Sequence, residues 1–362
     1  MRRVIVIGMI GVALVGLLGF LFGNPARAQS AKPVELTLAS GFAPTHIQAG
    51  AIPQQWSAEV EKATGGRVKI KGLYGGSLLG PTDTLDGVRG GIADLGVMVP
   101  AYWPGQFPVT SSLSGLVDLG LVGKLDLNGS GLLALKLYDE YPAFSQEYKR
   151  LGIRPLLWLP TVPYRVITTF QVKATDDLKG VKIRTFGTYL PKLFQAVGAV
   201  PVTVSAAELY TSLQTGVVRG AITDPLFIAS SKIYEPARYL LDLGPKGGTP
   251  TAFAAVFVAI NEKSWEKIAA EDQRAILDMS RKIAPRYYDQ MAEAAEKALE
   301  AMKRERVTVT QLPDAELAKW AKASPDWYGL IAKDLDGRGL PGTDVTRRYQ
   351  EMVKDYAEGR LK

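Results

Sequence analysis

Residues 181–225 read VKIRTFGTYLPKLFQAVGAVPVTVSAAELYTSLQTGVVRGAITDP. Three short runs in this stretch are rich in β-branched residues: Val181–Arg184, Val200–Thr203 and Val218–Asp224. Two helix-length segments separate them, Tyr189–Val197 and Ala206–Thr215. The order is β-α-β-α-β, the pattern of an α/β domain with a largely parallel sheet.

The same rhythm occurs nearer the N-terminus. Val34–Ala39 and Val68–Leu73 read as strands, and Ile92–Val99 as a third. Between them, Ile52, Trp56 and Val60 share one helix face, closed by Gly65-Gly66. Thr82–Gly90 is a second, shorter helix. Gly91 and Pro100 bracket the third strand, and Gly216 and Pro225 bracket the last strand of the opening stretch, 125 residues later (216 − 91 = 225 − 100). Val99-Pro100 and Thr223-Asp224-Pro225 should therefore sit at equivalent strand ends in two similar domains. In open α/β sheets, ligands bind outside the carboxyl ends of the strands. Two such domains facing each other make a cleft.

The C-terminal third differs. Thr251–Ile260 reads as one more strand. Asp272–Arg306 is nearly all helix-formers, with Pro285 expected to kink it. Ala315–Leu335 and Thr346–Tyr356 are further helices, expected to pack across both domains. Gly337–Gly342 spells Gly-x-Gly-x-x-Gly, but it follows a helix and contains Pro341. A dinucleotide fingerprint follows a strand, so a loop is expected there.

Arg2 and Arg3 precede an apolar run from Val4 to Gly23, and Ala26-x-Ala28 follows Pro25. This is the pattern of a secretory signal peptide cut after Ala28, which makes the expected location periplasmic. The remaining 334 residues (362 − 28) suffice for two domains. The chain has no Cys, so no disulfide supports it. Of the formal charge of +7, Arg2, Arg3 and Arg27 carry three, leaving +4. No basic run is interleaved with aromatics, so no nucleic-acid partner is expected. With one His and no Cys, a zinc site of the usual kind is not expected, and no cofactor motif is present. Gly-x-Ser-x-Gly, P-loop and His-Glu-x-x-His patterns are absent.

Four stretches carry a family resemblance. They are Glu59–Val68; Tyr74–Gly80 with Gly90–Val97; Asp177–Arg184; and Glu208–Gly220. In this order, after a signal peptide, the chain resembles the solute-binding proteins of TRAP (tripartite ATP-independent periplasmic) transporters, the DctP-like family, from about Val34 to Tyr356. The resemblance implies a two-lobed α/β clamp of the Venus-flytrap type, with hinge strands and long C-terminal helices spanning both lobes. The expected bounds are 29–161 with 250–288 for lobe I and 162–249 with 289–320 for lobe II. Residues 321–362 should pack on both. The implied function is uptake of a small organic acid, handed to the integral membrane permease subunits by a monomeric protein. An ABC-importer binding protein, or a periplasmic enzyme acting on a carboxylate, are the alternatives.

The same resemblance implies that the Arg of the Lys-x-Arg strand, Arg184, pairs with the ligand carboxylate. A guanidinium can do so through two parallel hydrogen bonds. Relatives often carry a second cleft arginine in the crossover strand, here Arg165. They often have Asn where this chain has Asp224, which can only accept when ionised. Asp224 could instead pair with an arginine, accept from the ligand, help hold Ca²⁺, or cap the following helix. Tyr102, Trp103, Trp158 and Phe227 are candidate pocket aromatics. Val99 should line the cleft through its backbone position. His46, in the loop after the first strand, is a candidate ligand contact.

Overall fold

The computed structural model describes residues 32–114, 116, 125–243 and 256–361. The signal-peptide segment lies outside the described residues, as does the start of the strand expected from Thr251. In chain order the strands are β1 (Val34–Ala39), β2 (Val68–Leu73), β3 (Leu95–Met98), β4 (Ile153–Leu159), β5 (Arg165–Thr168) and β6 (Lys182–Thr185). They continue as β7 (Val200–Thr203), β8 (Gly220–Thr223), β9 (Tyr239–Asp242), β10 (Val256–Asn261) and β11 (Thr308–Gln311). The helices begin with α1 (Ile52–Ala63), α2 (Thr84–Arg89), α3 (Pro108–Ser114), α4 (Leu127–Glu140) and α5 (Pro142–Arg150). Next come α6 (Leu190–Gln195), α7 (Leu209–Gln214), α8 (Pro225–Ser230) and α9 (Glu262–Trp265). The last four are α10 (Ala270–Arg304), α11 (Asp314–Ala323), α12 (Trp327–Asp336) and α13 (Gly342–Ala357).

Two sheets result. One has the order β2-β1-β3-β10-β4, the other β7-β6-β8-β5-β9-β11. Each opens with a parallel triple, and each then receives an antiparallel strand: β10 beside β3 and β5 beside β8. That incoming strand has crossed from the other sheet, because β5 follows β4 and β10 follows β9. The repeat at an offset of 125 residues thus maps β3 onto β8. It puts Pro100 and Pro225, each just past its strand, at matching ends.

Particular side chains explain why the quoted stretches fold this way. Asp94 accepts from Thr37 N and from Ser264 Oγ, tying the turn before β3 to β1 and α9. Gly96 lies in β3 where a Cβ would come within 2.5 Å of Thr84 and 2.8 Å of Val88, so its lack of a side chain lets α2 sit on the sheet. Trp56 is fully buried and donates from Nε1 to Ser280 Oγ, joining α1 to α10. The 35 residues of α10 span about 50 Å. Ile276, Tyr287 and Met291 enter the core under the first sheet, and Met302 enters the core beside the second. The helix continues through Pro285.

The single helix expected over Ala315–Leu335 is two. Pro325 has no N–H to donate, α11 ends at Ala323, and Asp326 caps α12 by accepting from Gly329 N. Gly337–Gly342 connects α12 to α13, with Gly339 at φ 72°. No helix among the described residues is long and apolar enough to cross a membrane.

Candidate ligand-binding cleft

Arg184 is the next-to-last residue of β6. In an extended strand Ile183 and Thr185 face one way and Arg184 the other. The side chain is 2% exposed. Its Nε donates to Val204 O (2.9 Å) and its Nη1 to Ile222 O (3.3 Å). The guanidinium lies 4.5 Å from the centre of the Phe186 ring. A guanidinium has five N–H donors, so these two carbonyls leave donors for a ligand. Gly187, at φ 67°, lets the chain turn at once after Phe186, where its backbone nears Ala101 beside the first sheet.

Asp224 lies between β8 and α8, with extended backbone suited to an N-cap. Its Oδ1 accepts from Phe227 N at 2.8 Å. His46 caps the helical turn Ile47–Ala51, its Nδ1 accepting from Ala49 N at 3.1 Å. The acceptor role of Nδ1 assigns the ring hydrogen to Nε2. Burial lowers the His46 pKa, against the pull of Asp224, so the ring is neutral. Gln48 donates to Pro160 O (2.7 Å), fastening this turn to the segment that crosses between the sheets.

These groups surround one cavity of about 40 Å³, walled by Val99, Tyr102, Tyr164, Arg184, Asp224, Phe227 and their neighbours. A second cavity of about 260 Å³ shares Phe42, His46, Ala206 and Phe227 with it. Aromatic pairs bridge elements of the two sheets across this space. Phe42 and His46 meet Phe227 at 6.4 and 6.1 Å, and Tyr102 meets Phe186 at 6.1 Å. Tyr164 meets Phe186 edge-on at 5.8 Å. Burial pushes the Tyr102 and Tyr164 hydroxyls up; Asp224 adds to this and Arg184 opposes it, so both charges act on both hydroxyls.

Six of the eight residues expected at the cleft, Arg184, Asp224, Tyr102, Val99, Phe227 and His46, lie on this wall. Arg165 and Trp158 do not. Arg165 pairs with Asp242, the last residue of β9, while its Nη1 donates to Pro163 O (2.9 Å). Its side chain is 6% exposed and is turned into that pair. Trp158 packs among Phe257, Tyr148 and Tyr138 at 5.2, 5.6 and 5.9 Å. Its strand neighbours Leu157 and Leu159 belong to a different core cluster, so alternation along β4 turns Trp158 away. Trp103 packs on Tyr102 and Phe107, and its Nε1 donates to Thr82 O.

Gln48, Thr161, Tyr164, Phe186 and Thr223 also line the cavity and were not anticipated. Tyr164 had a signal. It adjoins Arg165, and in an extended segment only one of two neighbours can face the cleft. Among the described residues no group of three or more His, Cys, Asp or Glu side chains is placed to hold a metal ion.

The comparisons with known proteins agree with this architecture. Residues 38–334 match the family model DctP, bacterial extracellular solute-binding protein, family 7. The 2,3-diketo-L-gulonate-binding periplasmic protein YiaO of Escherichia coli is 26% identical over 298 residues, 81% of this chain and 84% of that protein. A TRAP periplasmic solute-binding protein from Desulfovibrio salexigens, solved in an open complex, is 26% identical with a TM-score of 0.70, covering 91% of this chain and 98% of that one. A TRAP solute-binding protein from Rhodoferax ferrireducens, solved with copurified benzoate, has a TM-score of 0.80 at 20% identity, covering 90% and 99%. The chain belongs to the DctP family, the bacterial extracellular solute-binding proteins of family 7.

Proposed function

We propose that this chain binds a small organic acid between its two sheets and delivers it to TRAP permease subunits in the membrane. The observation that carries it is Arg184: a buried guanidinium, held by two backbone carbonyls and one aromatic face, on the wall of a cavity. A carboxylate there would meet fixed donors out of water, where charge-assisted hydrogen bonds are strong. The names of relatives that bind 2,3-diketo-L-gulonate and benzoate support an acid as ligand. We place lobe I at 29–161 with 250–288 and lobe II at 162–249 with 289–320, and let 321–362 pack on them. The two sheets support these bounds. The clamp is complete within one chain, which favours a monomer. Residues 1–28 would direct export and be removed.

Binding without turnover fits the site better than catalysis does. Acid–base chemistry needs a group able to take a proton. His46 is neutral, but its Nδ1 already accepts from Ala49 N. Asp224 holds α8 through Oδ1, leaving Oδ2 as the one carboxylate oxygen open on this wall.

A thermal-shift screen of the chain from Gln29 onward tests the proposal. The panel is small mono- and dicarboxylates, keto acids, sugar acids and amino acids, with recovered ligand checked by mass spectrometry. A binding protein gives a raised Tm with one class and returns that compound unchanged. A chemically altered compound would favour the enzyme alternative, and a panel without effect would overturn the acid ligand.

A further inference from the structure

The cavity wall carries two opposite buried charges, Arg184 (2% exposed) and Asp224 (8% exposed). Neither belongs to any ion pair among the described residues. Buried charges without partners are costly, and the cost disappears when a ligand supplies the counter-charge. Arg184 has its carbonyls and the Phe186 face, with N–H donors remaining. Asp224 spends Oδ1 on Phe227 N and has Oδ2 remaining. His46 contributes no charge and no free acceptor, since Nδ1 is used. The wall is therefore neutral as a whole and polarised.

We propose that the cleft selects a compact zwitterion, its carboxylate on Arg184 and a cationic N–H group on Asp224. The inference rests on the acid-binding role of Arg184 and adds what Asp224 does. A simple monocarboxylate would satisfy Arg184 and leave Asp224 desolvated beside a second anion. A dicarboxylate would add two negative charges to one positive. A zwitterion pairs every charge and leaves the closed cavity neutral. Phe42, His46 and Phe227, packed on one another, line the same cavity as this pair and add no charge to it.

The test uses matched pairs that differ only in the ring heteroatom: L-proline with tetrahydrofuran-2-carboxylate, and L-pipecolate with tetrahydropyran-2-carboxylate. Binding is measured by calorimetry on the native chain from Gln29, Asp224→Asn and Arg184→Ala. Asn is as good an N-cap as Asp, so Asp224→Asn should keep α8 in place. In the native protein the nitrogen member should bind at least about tenfold tighter. Asp224→Asn should reduce that ratio to below about threefold, with Arg184→Ala abolishing both members. Equal affinities in the native protein, lost in Arg184→Ala, would overturn the zwitterion and leave the acid anchor standing. If the oxygen member binds only when calcium is added, Asp224 holds a cation and the zwitterion is again overturned. If no member binds and simple acids have no effect either, both conclusions fall together.

Discussion

The displaced arginine gives the sharpest prediction. Arg165 of β5 and Asp242 of β9 form an ion pair, with side chains 6% and 18% exposed. Burial pushes the Asp242 carboxyl up, and Arg165 opposes that shift by attraction and hydrogen bonding. In Arg165→Leu the carboxylate loses that partner. Breaking a buried pair from one side costs about 3–5 kcal/mol, and the residual exposure of Asp242 places the cost near the lower end. Unfolding entropy is about 2.1 cal/mol/K per residue. Over the 334 residues that follow Ala28 (362 − 28) this sums to about 0.7 kcal/mol/K. A loss of about 3 kcal/mol then lowers Tm by about 4 °C. The double variant Arg165→Leu with Asp242→Leu should recover most of it, because two apolar side chains replace the pair without leaving a charge. Calorimetric unfolding measures both. Titration of each variant with the ligand found by screening should give a Kd within about threefold of the native value. A Tm near native with affinity weakened tenfold or more would return Arg165 to the cleft and refute the packing described above.

Two further perturbations follow from buried groups. Glu147 is 2% exposed and accepts from Val109 N, Thr110 N and Thr110 Oγ1 at the start of α3; burial, outweighing those hydrogen bonds, pushes its pKa up to about 7. A raised carboxyl favours folding most when protonated, so its contribution is full below about pH 4.5 and is lost as pH rises through about 7. The native protein should lose up to about 3 kcal/mol relative to Glu147→Gln between pH 5 and 8, read from urea unfolding; parallel curves would contradict it. Gly96→Ala should cost about 1–3 kcal/mol in the same assay, because its Cβ would meet Thr84 and Val88 within 3 Å. An unchanged midpoint would mean that α2 yields freely.

Much of the architecture was legible because it is written in local patterns. The strand–helix alternation, the repeat at 125 residues and the position of Arg184 at a strand end need no partner outside their own segment. What local patterns do not carry depends on distant contacts. Nothing near Arg165 announces that Asp242, 77 residues on (242 − 165), will pair with it. Trp158 lies in Ile153–Leu159, a strand buried on both faces, where an apolar run hides which residues point where. Helices α4 and α5 were not read at all. The first contains Gly129 and Gly131, residues that weaken a helix; here their missing side chains admit Tyr356 and Tyr288. His46 looked like a loop residue because its capping bond to Ala49 N requires a turn that its local sequence does not signal.

The central claim is that Arg184 holds the carboxylate of a ligand enclosed between the two sheets. Calorimetric titration of native protein, Arg184→Lys and Arg184→Ala with the acid identified by screening tests it most directly. Truncating one side of a buried hydrogen-bonded charge pair costs about 2–5 kcal/mol, so Arg184→Ala should weaken binding by about thirtyfold or more. Arg184→Lys should recover only part of it, since an ammonium lacks the planar fork. Affinity unchanged in Arg184→Ala, in protein that still unfolds cooperatively, would contradict the account.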